Sequence, residues 1–363
     1  MGSKPAPRFR WTTSNRLKDL NLYCISTPFQ LVSAIEARHR FPAKQNVLII
    51  RDVVERREEH RSQVQALSSR TQWDEIIHWP VHQGSRISKR WEQAHFTRRL
   101  AGRFADQVHT YLMAGFRQPK NHMLRGALRP QRTIVLDDGV GTLFHFREFL
   151  SQGKYLSSWL ETDNPLGRLL QIVEFALAGT NKDEMKVPME LFTCFELPDN
   201  GNGTLVHRHS FESLGKLREN QSVDASRVDY LGSPLSERAI LESKSEINLI
   251  DRIRQHYAED SRQLRYIAHR DDSERKLREL QNRGIKTIRL DTPAEFYYVS
   301  TEQLPGTFAS TISTALHNLF MIFPDIQADL FPLPFNEMLS RSEHAEQVTR
   351  QYQSMGIQAV ELT

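Results

Sequence analysis

The stretch IVLDDGVGTLFHF (134–146) passes from aliphatic residues to two adjacent carboxylates, Asp137 and Asp138, then through Gly139 into an apolar helical pattern. Three aliphatic side chains in a row read as a buried strand, and the run behind the glycine reads as a helix. A strand feeding a helix through a tight turn is the unit of a parallel α/β sheet. Like charges repel, so an acid pair at a strand end points to a use beyond folding. Two roles fit it. One acid can be a general base, with the other orienting it, or both can cap a helix N-terminus. A metal-binding pair is a third role, but no His or Asp cluster sits nearby in sequence to complete a site.

The same pattern repeats outward. NLYCIS (21–26) leads into TPFQLVSAIEARHR, where Ser26 or Thr27 can cap, Pro28 suits the first helical position, and Phe29, Val32 and Ile35 recur at helical spacing. Strands are expected near 46–52, 75–79 and 108–115, with helices over 86–103 and 140–150. Past residue 227 the alternation restarts, with strands at 227–232, 264–269, 285–290 and 306–310 and helices at 243–258, 272–283 and 311–320. The fold class is therefore α/β, two Rossmann-like units with a cleft between them. The expected division is an N-terminal extension over 1–20 and a first domain over 21–197, with an insertion at about 151–190. A linker over 198–227, a second domain over 228–335 and a helical tail over 336–363 follow. A chain of 363 residues suits two such domains.

No apolar run approaches the roughly 20 residues of a membrane span. The start, MGSKPAPRFRW, has no apolar segment behind its charges, so no signal peptide is expected. Cys24 and Cys194 sit in apolar strand-like stretches and read as reduced core residues, which with the rest suggests a cytoplasmic protein. The net charge is +4, unevenly spread. Residues 107–136 hold no acid but carry Arg117, Lys120, Arg125, Arg129 and Arg132. Such a patch can attract an anionic acceptor at Arg117, Lys120 and Arg125, hold the protein peripherally on the inner face of a membrane, or be a solvated face. No nucleic-acid partner is expected, because a binding motif and an aromatic platform are both lacking.

Further polar residues fall at strand ends in the second unit. His269 closes a strand in RYIAHRDD, followed by Arg270, and either assists a phosphate leaving group or is a satisfied strand-end histidine. Ser310 and Thr311 precede the helical pattern of Ile312, Ala315, Leu316, Leu319 and Phe320, as a phosphate site or a plain cap. Glu295 can accept from ribose hydroxyls or lie on the surface, and Gly232 gives a tight turn in YLGSPLSE.

As a set, DDG (137–139), HR (269–270) and ST (310–311) resemble the acidic-acidic-Gly, His-Pro and Ser-Ser/Thr motifs of bacterial-type sialyltransferases and polysialyltransferases. The likeness extends to STPFQLVSAIEA (26–37), VLDDGVGTL (135–143), YLGSPLSE (230–237) and FASTISTALHNL (308–319), and spans about 20–335. It implies a GT-B fold and metal-independent, inverting transfer of sialic acid from a CMP donor to a glycan hydroxyl. CMP-sialic acid would be a substrate, with no cofactor. By motif, Asp138 resembles the base, supported by Asp137 and Gly139, and His269 resembles the group assisting CMP departure. Ser310 and Thr311 resemble the phosphate-binding pair, and Glu295, 26 residues after the histidine, a ribose ligand, with Gly232 also at the CMP site. Arg270 replaces the family's proline, which leaves open another CMP-activated nonulosonate or CMP-Kdo. A transferase of another nucleotide sugar, or a non-catalytic nucleotide- or glycan-binding relative, are the alternatives.

Overall fold

The computed structural model describes residues 19–51, 58–69, 71–80, 84–156, 164–197, 204–218, 220–340 and 342–362. The first unit runs β1 Leu20–Ile25, α1 Pro28–Arg40, β2 Gln45–Arg51, α2 Glu58–Ser69, β3 Glu75–Trp79, α3 Arg86–Phe104, β4 Val108–Ala114, α4 Pro119–Leu128 and β5 Arg132–Leu136. It continues with α5 Gly141–Glu148, α6 Pro165–Ala178, β6 Glu190–Thr193, β7 Val206–Arg208 and α7 Glu212–Gly215. The second unit is β8 Ser222–Leu231, α8 Ser243–Glu259, β9 Gln263–Ala268, α9 Glu274–Asn282, β10 Lys286–Arg289, α10 Ala294–Ser300 and β11 Gln303–Ser310. It closes with α11 Thr314–Ile322, β12 Gln327–Leu330, α12 Ser342–Ser354 and β13 Gln358–Ala359.

Two parallel sheets result, ordered β3-β2-β1-β4-β5-β6-β7 and β10-β9-β8-β11-β12-β13. Each order reverses beside its first strand, at β1/β4 and at β8/β11, which opens a crevice at the carboxyl ends of those strands. Helices cover both faces, so β1 is buried at every residue and its sequence shows no alternation. Local chemistry sets the joins. Thr27 Oγ1 caps α1 by accepting from the Gln30 N–H at 3.1 Å, and Pro28 stands in the first turn.

The edges of the units differ from the sequence expectation. The stretch 198–227, read as linker, supplies β7 to the first sheet and the start of β8 to the second, and its residues 198–203 lie outside the description. Polar residues hid this start: β8 begins as Ser-Val-Asp-Ala-Ser and pairs there with Gln303–Pro305 of β11. A side chain at Gly306 would stand 2.7 Å from the Ala225 Cα, so only glycine lets these strands meet. The tail expected to be helical holds α12 but then returns as β13, paired with β12 in the second sheet. In the insertion, α6 packs on α3 and α4, and β6 takes up the sheet again. Of the N-terminal extension, residues 1–18 are outside the described residues.

One apolar core joins the two units, running from Tyr23 and Leu31 to Phe308 and Leu316. Phe195 stacks on His317 at 4.7 Å, and Tyr352 of α12 stacks on the same imidazole at 5.6 Å. The two sheets are thus fixed with their crevices opposed.

Candidate active site

A cavity of about 840 Å³ opens between the carboxyl ends of the two sheets. Its first wall comes from the turns after β1 and β5. Asp138, just past β5, is half-buried and lines it. The amide of Gln30, buried in the first turn of α1, donates to Asp138 Oδ1 at 2.7 Å. The Asp138 N–H donates to Thr142 Oγ1 at 2.9 Å. One carboxylate oxygen is thereby fixed, and Oδ2 has no partner among the described residues. Asp137 points the other way. It is fully buried and accepts from the Cys194 N–H at 2.8 Å, with His209 Nε2 at 3.4 Å. The two acids therefore divide the work: Asp137 ties β5 to the end of β6, and Asp138 faces the cleft.

Gly139 makes the turn at φ +67°, and a β-carbon there would stand 2.9 Å from Thr314 Oγ1 of α11. The next residue, Val140, donates its N–H to that same hydroxyl at 3.2 Å. The Asp138 turn thus touches the helix N-terminus of the opposite unit. Ser313 is the cap residue of α11 but makes no side-chain capping bond; its carbonyl takes the Leu316 N–H at 3.1 Å, and the N–H groups of Thr314 and Ala315 remain for another acceptor.

The second wall is organised from below by buried charges. Lys276 Nζ bonds Glu246 Oε1, Asp272 Oδ1 at 2.9 Å and the Ser233 carbonyl at 3.0 Å. Burial pulls its pKa down, but Glu246 and Asp272 outweigh that and raise it. Asp272 Oδ2 accepts from the His269 N–H at 2.7 Å and the Tyr266 hydroxyl at 2.9 Å. Glu246 accepts from the Ser236 N–H at 3.0 Å. The network holds the Gly232 loop and the His269 strand end together. A β-carbon at Gly232 would lie 2.4 Å from the Tyr266 oxygen, so this glycine lets the ring pass beneath the cleft floor.

His269 lines the cavity, and its Nδ1 accepts from the Asp271 N–H at 3.0 Å. In the neutral ring this leaves the proton on Nε2. Burial, then the neighbouring Arg270, push the pKa down to about 3, so at neutral pH His269 is an uncharged donor. Arg270 lines the same cavity and supplies positive charge instead. Glu295 is buried at its back, accepts from Asn318 Nδ2 at 2.6 Å, and has its pKa raised by burial.

Asp138, Gly139, Gly232, His269, Arg270 and Glu295 are therefore brought to one cavity. Ser310 and Thr311 are not. Both are fully buried, because β11 runs on through Ser310 and α11 starts only at Thr314. Ser310 Oγ donates to the Leu231 carbonyl at 2.6 Å, a tie between neighbouring strands. The hydroxyl residues facing the cleft at α11 are Ser313 and Thr314. The basic patch is also revised. Arg125 is 2% exposed and donates to the Val187 and Tyr155 carbonyls at 3.1 and 3.3 Å, so it cannot meet an acceptor. Arg117 is half-buried, its guanidinium 4.7 Å from the Phe144 ring centre, and burial lowers the Lys120 pKa to about 8. Sequence reasoning missed Gln30 and Arg51. Arg51 ends β2 buried and donates to Gln118 Oε1 at 3.4 Å and Ser26 Oγ at 3.2 Å. Gln30 lies off the stripe of Phe29, Val32 and Ile35, and Arg51 follows an unbroken apolar run, so periodicity marked neither.

Metal-ligating atoms approach one another away from the cavity. Asp137, Cys194 and His209, all buried, offer donor atoms within 4.8 Å of each other, and so do buried Glu36 and His209 with exposed Glu212.

No protein-family model matches the chain, and no curated protein matches its sequence. Solved structures do resemble its fold. UDP-GlcNAc 2-epimerase from Methanocaldococcus jannaschii is similar at a TM-score of 0.50 and 8% identity, over 94% of this chain and 88% of that one. A second UDP-N-acetylglucosamine 2-epimerase gives 0.48 and 9% over 93% and 88%. Spinosyn rhamnosyltransferase, complexed with thymidine diphosphate, gives 0.39 and 11% over 93% and 91%. The fold is GT-B-like: two Rossmann-like domains, with seven- and six-stranded parallel sheets, face each other across a cleft.

Proposed function

We propose that the protein is an inverting glycosyltransferase that moves sialic acid, or a related nonulosonate, from a CMP donor to a glycan hydroxyl. The observation that carries this is the meeting, in one cavity, of Asp138 from the first domain with His269 and the uncapped start of α11 from the second. Asp138 Oδ2 takes the proton of the acceptor hydroxyl while Gln30 holds Oδ1. The acceptor oxygen attacks the anomeric carbon from one face, and the bond to the phosphate oxygen breaks on the other. Negative charge gathering on the leaving phosphate meets His269 Nε2–H, Arg270 and the first N–H groups of α11. The resemblance of DDG (137–139) and of His269 to sialyltransferase motifs supports CMP as the nucleotide. The epimerase of like fold is, by its name, an enzyme of another nucleotide sugar, which supports the broader class. Calorimetric titration with CMP, UDP and dTDP tests the donor: CMP binds most tightly in this account. Equal or weaker binding of CMP than of UDP would contradict it.

A further inference from the structure

We infer that the face made by α3 and α6 docks on an anionic phospholipid bilayer. Thirteen large apolar side chains are exposed among the described residues, and six of them lie on these two touching helices. They are Ile87 and Trp91 on α3, and Leu166, Leu169, Ile172 and Val173 on α6. Leu166 and Ile172 are each 64% exposed, Leu169 58% and Ile87 56%, far more than partial burial would leave. The spacing 166, 169, 172, 173 puts one stripe along α6, and 87 and 91 stand one turn apart on α3. On its inner side α6 is fixed by Phe175 and Ala178 packed with Ala94 and Met123. The helix is therefore apolar on both sides but covered on only one, which in a helix calls for a second apolar surface.

Charge selects the occupant. Over 85–104 and 164–179 the sequence carries seven basic residues against Glu92 and Glu174. Arg90 is paired with Glu174 and Arg103 with Glu75, each at 2.7 Å, and five of the seven basic residues lie outside these two pairs. Arg98 and Arg99 stand exposed further along α3. An apolar stripe with exposed arginines further along the same helix suits the headgroup boundary of an anionic bilayer. A second copy of this chain would instead bring the same positive field against itself. No described helix is long and apolar enough to cross a membrane, so the contact is peripheral. Because α3 follows β3, Ile87 and Trp91 lie toward the carboxyl end of the first sheet, the end that carries Asp138.

Co-sedimentation of the full chain with vesicles tests this and needs no turnover. Binding is expected to vesicles of phosphatidylcholine containing phosphatidylglycerol and not to phosphatidylcholine alone. The double variant Leu169→Gln, Ile172→Gln should need at least about tenfold more lipid for half-maximal binding, since two apolar anchors are lost. Its circular dichroism and Tm should match wild type, because neither side chain is in the core. Arg98→Glu with Arg99→Glu should remove the preference for phosphatidylglycerol. Absence of sedimentation with both vesicle types would overturn the inference, as would unchanged binding by the double variant. A dimer by light scattering that the same double variant dissociates would also overturn it, by assigning the face to a second copy.

Discussion

Replacing Lys276 by methionine probes the network that sets His269 in place. Lys276 is buried and compensates two buried carboxylates, Glu246 and Asp272, while its third bond goes to the Ser233 carbonyl. Methionine fills similar volume but leaves both carboxylates without a cation. Removing one partner of a buried ion cluster costs about 3–5 kcal/mol. For a unit of this size that is a fall in Tm of about 10 °C. Thermal unfolding at pH 7, followed by circular dichroism, reads it directly. The gap from wild type should narrow in acid, where an unpaired buried carboxylate takes up a proton and is no longer a charge. Adding Glu246→Gln should recover part of the loss for the same reason. Because Asp272 also accepts from the His269 N–H, the single variant should lose turnover beyond its loss of folded protein. A Tm change below about 2 °C at pH 7, against a cost of this size, would refute the reasoning.

Other consequences follow from single positions. Gly139→Ala must hold φ +67° and press a methyl on Thr314 Oγ1, so urea titration should show a loss of about 1–3 kcal/mol. Ser313→Ala with Thr314→Val should raise the donor KM about tenfold, the loss of one or two phosphate contacts. Ser310→Ala, at a strand tie, should lower stability by about 1–2 kcal/mol and leave KM alone. The buried histidines His122 and His269, with pKa pushed down to about 3, and His145 and His317, to about 4, stay neutral in the fold while the unfolded chain protonates near pH 6.5. Each therefore withdraws stability as pH falls from about 6.5 toward 4, partly offset by Glu36 and Glu295, whose raised pKa acts in the opposite sense. Urea midpoints at pH 7 and pH 5 check the sign: the midpoint should fall, and His122→Gln should flatten the slope.

The fold was legible because strand and helix periods alternate along the chain. IVLDDGVGTLFHF alone carries a strand, a turn and a helix, and the structure places β5 and α5 there. Residues at strand ends were also readable, since parallel strands all deliver their carboxyl ends to one side. Asp138, His269 and Gly232 reach the cleft by that rule. The shift from Ser310 and Thr311 to Ser313 and Thr314 was not legible, because a serine ending a buried strand and a serine capping a helix look alike in sequence. Only the bond to the Leu231 carbonyl distinguishes them. Arg125 shows the limit of charge counting: composition gives the sign of a patch but not which side of α4 is covered by Tyr155 and Val187. Strand β7 is three residues long, too short for any period to show.

The central claim is that Asp138 is the base for an acceptor hydroxyl, and it is tested most directly by CMP release from CMP-sialic acid. Release is measured with and without sialylated and galactose-terminated acceptors, for wild type and Asp138→Asn. The account predicts acceptor-dependent release, a fall in kcat of about 10²–10⁴ in the variant, and unchanged CMP affinity. Acceptor-dependent release that survives in Asp138→Asn within a few-fold would contradict it, as would the absence of release from every donor and acceptor pair.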